Sequence, residues 1–336
     1  MQMQPSAFTS LAVVQENDLS YLRNTLYNRM ETYLHFGCCD NLWQNGVADN
    51  QIIIIKKPKD ATLWVTALGA YTKQNTQHKE PGFIAHSPGI FLGLDSTFGR
   101  GSCLGGGIGY THTHMHWSEH RGKANVQGAY GTLYGRWTSS HAYMQGSLIG
   151  GYSLYSTDRN IEFGPSIMTI KETAKGHHNG MEGSVHLKTG FNYGCRYITF
   201  SPFIGCDYFY VHENSFHEHG AKSLNLKVKA KNSNLLSSEA GIDLSHCFGQ
   251  AIKSFTPFVK LSVIRESRFK GQKENASFEC GCDFSVSGLY PSRTLAGIVL
   301  GLSANTLSKT LSLFYQGKFC NSYQDNSGYV QYSFKF

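Results

Sequence analysis

Apolar and polar side chains alternate through the last eight residues of the chain, Tyr329-Val330-Gln331-Tyr332-Ser333-Phe334-Lys335-Phe336. This period of two predicts a β-strand with one apolar face. A terminal strand without a partner frays in a soluble sheet, but the last strand of an outer-membrane β-barrel pairs with the first strand and closes the edge. The stretch therefore predicts a barrel, on condition that the preceding sequence repeats the pattern.

The same alternation recurs through most of the chain after residue 60. It marks twelve candidate strands, at 62–74, 87–98, 102–117, 123–138, 141–156, 180–195, 197–212, 234–247, 254–269, 293–305, 309–320 and 326–336. Each can supply the roughly 9–11 residues with which a tilted strand crosses a bilayer. In the strand at 180–195, Glu182, His186 and Lys188 fall on the face opposite to the apolar side chains. A strand between lipid and a wet lumen accommodates that division.

The connections between these strands alternate in length. Short turns at 99–101, 139–140, 196, 248–253 and 306–308 alternate with longer connections at 118–122, 157–179, 213–233, 270–292 and 321–325. Outer-membrane barrels have short periplasmic turns and longer outer loops. We therefore expect the basic loops 213–233 and 270–292 to face outside, while the turns 139–140 and 248–253 and the C-terminus lie on the periplasmic side.

The composition agrees with a barrel and excludes a helical membrane protein. Charged residues make up 16% of the 336 residues, against about 25% in an average soluble domain. The longest aliphatic run is Ile52 to Ile55, far short of the roughly 20 residues that a membrane-spanning helix needs. The sequence predicts an all-β fold, a closed twelve-stranded antiparallel transmembrane β-barrel over residues 61–336.

Residues 1–60 lack the strand period. An apolar stripe at helical spacing consists of Leu19, Leu22, Leu26, Met30 and Tyr33. It predicts an α-helix at 18–36 with Gly37 as its stop, so that residues 18–37 follow a short N-terminal remnant at 1–17 and precede a linker at 38–60. The helix would be about 27–30 Å long, close to the thickness of the bilayer core. We expect it in the barrel lumen; packing of its stripe outside the barrel or on another chain is the alternative.

Several local motifs have the order and spacing of a known family. They are Gly89-x-x-x-Gly93-x-Asp95 in the second strand, Gly107-Ile108-Gly109-Tyr110 in the third, Tyr130-Gly131-x-Leu133-Tyr134-x-x-Trp137 in the fourth and Tyr143-x-x-Gly146 in the fifth. Together with the helix, the linker and the terminal Phe336, they resemble the translocator β-domain of autotransporters, the proteins of type V secretion. The resemblance covers about residues 18–336.

The resemblance implies an outer-membrane translocator and anchor domain that exports or displays an N-terminal segment at the cell surface. It implies as partners outer-membrane lipid, the barrel-assembly machinery of that membrane and an upstream passenger segment. The lysines of the basic loops are expected to meet the anionic phosphates of lipopolysaccharide. The Asn-Asn pair of the self-cleaving subgroup is absent from the helix, where Asn24 and Asn28 are isolated. The alternative function is a porin-like or structural outer-membrane barrel with residues 18–36 as a plug.

Two sets of residues are candidates for function. The inward positions of the strands carry charges of both signs, namely Asp95, Glu182, Lys188, Asp207, Glu239, Asp243, Lys260 and Glu266. These charges either line a solvated lumen or hold the helix through Arg23, Arg29 and Glu31, while Phe91, Phe203 and Phe314 offer apolar contacts to its stripe. The terminal aromatic residues Tyr332, Phe334 and Phe336 resemble the family's signal for barrel assembly.

Other chemistry is not expected. Alternate residues on a strand lie about 6.8 Å apart, so that His112, His114 and His116 are too far from one another to bind one metal ion. They are expected to face outward near the lipid headgroups. Ser147, Gln145 and His141 could suggest a lipase-like site, but any polar-lined barrel produces such coincidences. We therefore predict no enzymatic activity, no metal and no cofactor, and no motif indicates nucleic-acid binding.

Overall fold

The computed structural model describes residues 5–44, 61–77, 81–98, 101–139, 141–164, 170–195, 198–250, 253–270, 273–278, 281, 283–288 and 293–336. In chain order the strands are β1 (Ala61–Gln74), β2 (Phe83–Phe98), β3 (Ser102–Trp117), β4 (Gly122–Thr138), β5 (Ala142–Phe163), β6 (Ile170–Phe191), β7 (Tyr193–Cys195), β8 (Ile198–Glu213), β9 (Phe216–His217), β10 (Leu226–Val228), β11 (Lys231–His246), β12 (Phe248–Gln250), β13 (Lys253–Lys270), β14 (Lys273–Phe278), β15 (Asp283–Ser287), β16 (Arg293–Thr306), β17 (Lys309–Cys320) and β18 (Tyr323–Lys335). The helical elements are a 3-10 turn at Pro5–Phe8, α1 (Thr9–Gln44) and a 3-10 turn at Lys222–Leu224.

Twelve long strands form one closed antiparallel barrel, because the first strand pairs with the last. Strand β1 pairs with β18 from Thr62 opposite Lys335 to Gln74 opposite Tyr323. Pairing of β8 with β11 completes the circuit on the other side. The backbone N–H of Phe336 donates a hydrogen bond of 3.0 Å to the carbonyl oxygen of Ala61. The predicted number of strands and the predicted closure are confirmed.

The two ends of the barrel differ. Ala61 and Phe336 lie at the end where the connections are tight, which we call the short-turn end. At this end β7 pairs with β8, and β12 pairs with β13, as short extensions of hairpins. The opposite end, which we call the long-loop end, carries the segments 157–179, 213–233 and 270–292.

The two faces of the wall follow the alternation of the sequence. On β18, Val330, Tyr332 and Phe334 are exposed on the outer face, whereas Gln331 and Ser333 are buried inside. On β6, the same parity exposes Val185 and Leu187 and buries His186 and Lys188. Apolar residues outside and polar residues inside are the arrangement of a barrel that stands in lipid.

Strands continue where the sequence predicted a loop at 157–179. Strands β5 and β6 extend as a hairpin until Phe163 pairs with Ile170. The loop prediction was wrong because Ile161 and Ala174 pack with Ala221 of the neighbouring connection in a small apolar cluster, which supports the hairpin beyond the barrel.

The other two long connections form a sheet of their own at the long-loop end. Its strand order is β15-β14-β10-β9, so that β9 and β10 come from 213–233, and β14 and β15 come from 270–292. Lys227 of β10 lies opposite Ser277 of β14. We call this four-stranded unit the outer sheet.

Helix α1 lies inside the barrel. It is longer than the predicted 18–36 at both ends, and Gly37 does not end it, because a single glycine costs a helix only about 1 kcal/mol. Its early start follows from the burial of Leu11, Val13 and Val14 at the long-loop end. Residues 45–60 of the predicted linker lie outside the described residues. Among the residues described, no helix combines the length and the apolar character that spanning a membrane requires.

Candidate functional site: the helix in the lumen

Every described side chain of the N-terminal segment from Ala7 to Thr32 is buried. A helix that packs on the outside of a barrel would leave one face exposed, so that burial around the whole circumference places this segment in the lumen. The apolar stripe of the helix contacts apolar residues of the wall: Leu19, Leu22, Leu26 and Met30 belong to one cluster with Trp64, Phe91, Phe258 and Phe314. Of the three phenylalanines expected at the stripe, Phe91 and Phe314 belong to this cluster.

A bidentate ion pair joins Arg29 of the helix to Asp95 of β2. The guanidinium donates from Nε to Oδ2 at 2.8 Å and from Nη2 to Oδ1 at 2.9 Å. Tyr134 donates to the same carboxylate at 2.7 Å and accepts a hydrogen bond of 2.6 Å from the indole N–H of Trp64. A Cβ at Gly105 would lie 2.6 Å from both the Tyr134 ring and the Asp95 side chain, so that this position requires glycine. The network fixes the rotation of the helix near the short-turn end.

A second charged contact lies on another side of the helix. The Arg23 guanidinium pairs with the Asp207 carboxylate of β8. His186 of β6 holds the other oxygen of Asp207 through Nδ1 at 2.9 Å, and its Nε2 lies 2.8 Å from Ser184 Oγ. The buried charges are thus paired and hydrogen-bonded, as buried ions must be to persist.

In a third pair, the helix carries the negative charge and the barrel wall carries the positive charge. Glu31 of the helix accepts a hydrogen bond from the Lys188 ammonium of β6. The same ammonium lies 4.1 Å from the ring centroid of Phe203, a distance at which a cation interacts with an aromatic ring. Phe203 therefore faces the charged side of the lumen, not the apolar stripe of the helix.

Neutral donors hold the helix nearer to the long-loop end. Asp18 accepts hydrogen bonds of 3.0 Å from the hydroxyls of Thr111 and Thr113 on β3. Glu182 of β6 accepts a hydrogen bond of 2.6 Å from Ser153 and another from the side-chain amide of Gln15. The helix is therefore bound to several strands along its buried length.

The structure also places the remaining predicted lumen charges. The ammonium of Lys260 on β13 lies 3.8 Å from the carboxylate of Glu239 on β11, and Asp243 of β11 is buried directly opposite Lys260. Glu266 is half-buried and accepts a hydrogen bond of 2.5 Å from Arg293. These residues line the wall and do not contact the helix through any of the ion pairs described above.

Several further wall residues that contact the helix were not predicted from the sequence. Arg268 of β13 donates a hydrogen bond of 2.7 Å to the carboxylate of Glu16. Asp325 accepts a hydrogen bond of 2.6 Å from Tyr21, Lys318 donates one of 2.6 Å to Ser20, and Arg136 donates one of 3.1 Å to the carbonyl of Met30. The parity of each strand could have identified these positions, because Arg268 shares a face with Glu266, and Arg136 shares one with Tyr134.

The helix start is enclosed at the long-loop end. Phe8 packs edge-on against Trp117 at 6.1 Å and against Phe216 of the outer sheet at 5.5 Å. The Lys231 side chain is 7% exposed, and its ammonium lies 2.7 Å from Glu274, 3.1 Å from Glu213 and 3.2 Å from the carbonyl oxygen of Phe8. Lys231 is therefore not part of a basic surface, in contrast to the exposed Lys227.

The other candidate residues lie apart from the helix. His112, His114 and His116 are on the outward face of β3, where His114 Nδ1 lies 2.7 Å from the amide oxygen of Asn125. Ser147 and Gln145 are buried, whereas His141 is exposed at a turn about 20 Å from Ser147 along the strand. Tyr332, Phe334 and Phe336 are exposed on the outside of the barrel.

Comparisons with known proteins agree with this architecture. A family model described as "Autotransporter beta-domain" matches residues 63–318. The outer membrane protein B of Rickettsia rickettsii is 24% identical over 176 residues, which are 50% of this chain and 10% of that protein. The chain thus spans about a tenth of the length of this curated relative.

Two solved structures have the same fold. The translocator domain of the autotransporter NalP from Neisseria meningitidis superposes with a TM-score of 0.65 at 16% identity, over 95% of this chain and 98% of that domain. The β-domain of the Bordetella autotransporter BrkA gives a TM-score of 0.61 at 15% identity, over 82% of this chain and 100% of that domain. At these identities the likeness concerns the fold alone.

Proposed function

Since the chain belongs to the autotransporter β-domain family, we propose that its lumenal helix is the stem through which the barrel displays an N-terminal segment at the cell surface. The chain is an outer-membrane translocator and anchor domain. Its family serves secretion and is not a family of enzymes. The short-turn end is then periplasmic, and the long-loop end is outside.

The direction of the helix is the observation that carries the proposal. Phe8 contacts Trp117 and the outer sheet, whereas Arg29 contacts Asp95 near the periplasmic end. At 1.5 Å per residue these two positions are separated by about 32 Å, roughly the thickness of the bilayer core. A segment attached to the start of the helix would therefore leave the barrel on the outside, while the C-terminal end of the helix leads back to β1 on the periplasmic side.

Display can be tested with an epitope fused before residue 1. Antibody should bind this epitope on intact cells. An epitope inserted beside Leu307, in the turn between β16 and β17, should be bound only after the outer membrane is permeabilised. Binding of the second epitope alone on intact cells would contradict the proposed direction of the helix.

We also propose that Tyr332, Phe334 and Phe336 form the signal that the barrel-assembly machinery recognises. Their exposure on the outer face of the closing strand makes them available to a partner before lipid surrounds the barrel. The variant Phe336→Ala should reduce the amount of inserted protein, and the conservative Phe336→Tyr should restore it. Equal insertion of all three proteins would refute the role of this aromatic residue.

Lipopolysaccharide is the proposed partner of the basic outer surface. Lys227 is exposed on the outer sheet, whereas Lys229 and Lys222 pair with Asp283 at 2.7 Å and with Glu172 at 2.9 Å. Exposed ammonium groups attract phosphates through long-range electrostatics. The variant Lys227→Glu should weaken binding of lipopolysaccharide to the purified barrel at low salt. Unchanged binding would show that Lys227 does not contribute to the lipopolysaccharide-binding surface.

A further inference from the structure

A groove crosses the outer face of the barrel at its periplasmic end, and we propose that it binds one anionic glycerophospholipid of the periplasmic leaflet. The groove has a volume of about 580 Å³, within the usual range of small-molecule sites. It is lined by the periplasmic ends of β12, β13, β16 and β17, beside the closing strand β18. This site is separate from the lumen and from the display of the N-terminal segment.

The floor and walls of the groove are one row of paired residues. The register of four strand pairs aligns Phe248, Phe255, Ala304, Leu311 and Tyr332 in that order. The small side chain of Ala304 forms the floor between the larger Phe255 and Leu311. All of these side chains lie on the lipid-facing side of the wall, and the two phenylalanine rings are 6.4 Å apart. The row therefore offers an apolar track to an acyl chain.

Two lysines stand at the periplasmic end of this track. Lys253 precedes Phe255 by two residues, and Lys309 precedes Leu311 by two residues, so that both ammonium groups emerge on the same outward face. Two residues of a strand span about 6.8 Å, which places the lysines below the apolar row at the level of the headgroups. Both side chains are exposed. Lysines at such a boundary extend their stems along apolar surface and place the charge at the interface.

The turn that carries one lysine is held in place. The Thr306 hydroxyl donates to the carbonyl oxygen of Lys309 at 3.0 Å and accepts from its backbone N–H at 3.1 Å. Strand pairing likewise places Lys253 opposite Thr306 on β16. The two positive charges therefore flank one rigid turn, and together they match a phosphate with an acyl chain that runs from it toward the membrane centre.

The ligand chemistry follows from this arrangement. Paired basic residues beside an apolar groove attract anionic headgroups, each lysine contributing about a fivefold gain in affinity near the surface. A diacylglycerol would satisfy the apolar row but not the lysines. Lipopolysaccharide also carries phosphates, but it occupies the outer leaflet, at the other end of the barrel. The structure therefore points to a phosphate-bearing lipid of the periplasmic leaflet.

Native mass spectrometry of the full chain in detergent tests the proposal, with palmitoyl-oleoyl phosphatidylglycerol as the probe. The wild type should retain one lipid per barrel. The variant Lys253→Gln/Lys309→Gln should bind about 25-fold more weakly. The variant Ala304→Trp, which fills the floor but keeps both lysines, should also lose the lipid. Heat-modifiable migration on gels verifies that each variant remains a folded barrel.

A matched control removes the same charge elsewhere. The variant Lys73→Gln/Lys175→Gln changes two exposed lysines at the opposite end and should retain the lipid as the wild type does. Equal retention by Lys253→Gln/Lys309→Gln or by Ala304→Trp would overturn the proposal. Equal binding of the corresponding diacylglycerol would overturn it as well.

Discussion

The Arg29 guanidinium binds both oxygens of the Asp95 carboxylate, with hydrogen bonds of 2.8 and 2.9 Å, inside the barrel wall. The two side chains are almost completely buried, with 2% and 0% of their surface exposed. Two parallel hydrogen bonds between planar groups specify orientation as well as charge. The contact therefore determines how far the helix enters the lumen and which face it turns toward β2.

We expect Asp95→Asn to destabilise the barrel. The substitution keeps the shape of the side chain but leaves the Arg29 charge buried without its counter-charge, which costs about 3–5 kcal/mol. The free energy of unfolding of the refolded chain in urea measures this loss. The double variant Arg29→Gln/Asp95→Asn should recover part of it, because it removes both charges.

Asp158→Asn is the matched control for this experiment. Asp158 lies 3.6 Å from Lys123, and the lysine side chain is 55% exposed. Exposed pairs contribute about 0–1 kcal/mol, so that the control should remain close to the wild type. A similar loss of unfolding free energy in both single variants would show that the buried pair contributes no more to stability than the exposed pair.

The sequence predicts which side chains of the barrel wall face the lumen, but it does not predict which helix residue each of them contacts. The alternation of Glu182, His186 and Lys188 with apolar residues is visible in any strand of this kind, and it places these side chains inside without further information. Which helix residue meets each of them depends on the rotation and the depth of a separate element. Arg29, Glu31 and Arg23 could be named as helix charges, but the pairing of each one with a particular strand is a property of the closed barrel.

The outer sheet could not be predicted for a different reason. Its strands β9 and β10 have two and three residues, too few to show a period of two. Strand β10 pairs with β9 and with β14, which comes from a connection distant in sequence, and Leu226, Val228 and Ala276 are buried in a shared apolar cluster. Strands this short, whose partners are distant in sequence, show no local sequence pattern from which they could be predicted.

We expect Lys231→Met to open the outer sheet without unfolding the barrel. The lysine compensates Glu213 and Glu274, and its removal leaves two buried carboxylates that repel each other. Protease added to intact cells should then cut the connections 213–233 and 270–292 faster, while heat-modifiable migration stays unchanged. The neighbouring exposed variant Lys227→Met should show the protection of the wild type.

The opening of the outer sheet in the Lys231→Met variant should depend on pH. Burial raises the pKa of Glu274 from its usual value, and the Lys231 ammonium acts in the opposite direction. An acid with a raised pKa in the folded state stabilises that state in its protonated form, so that the stability is present at low pH and is lost as the pH rises through that pKa. Protease resistance of Lys231→Met should therefore return toward pH 5; resistance that falls on acidification would contradict this assignment.

Removal of residues 1–45 should increase the single-channel conductance in planar bilayers. An α-helix with its side chains is about 10–12 Å across, and its loss leaves a lumen lined by polar residues. The full chain and Asp95→Asn serve as comparisons, because the second keeps the helix but weakens its contact. Equal conductance of the full and shortened chains would contradict the occupation of the lumen.

Surface labelling tests the topology independently of the family. Lys227→Cys should react with a membrane-impermeant maleimide on intact cells, whereas Ser139→Cys should react only after permeabilisation. The wild type, which has nine cysteines, measures the background. Labelling of position 139 and not of position 227 would reverse the orientation of the barrel.

The ion pairs of the helix have a mechanical consequence. Arg29, Arg23 and Glu31 are attached to β2, β8 and β6, so that a force on the start of the helix is distributed over separate strands of one closed ring. These bonds lie across the direction of pulling and share the load at the same moment, instead of opening one after another. The stem should therefore withstand drag on whatever extends from the cell, because extraction requires several buried charges to lose their partners together.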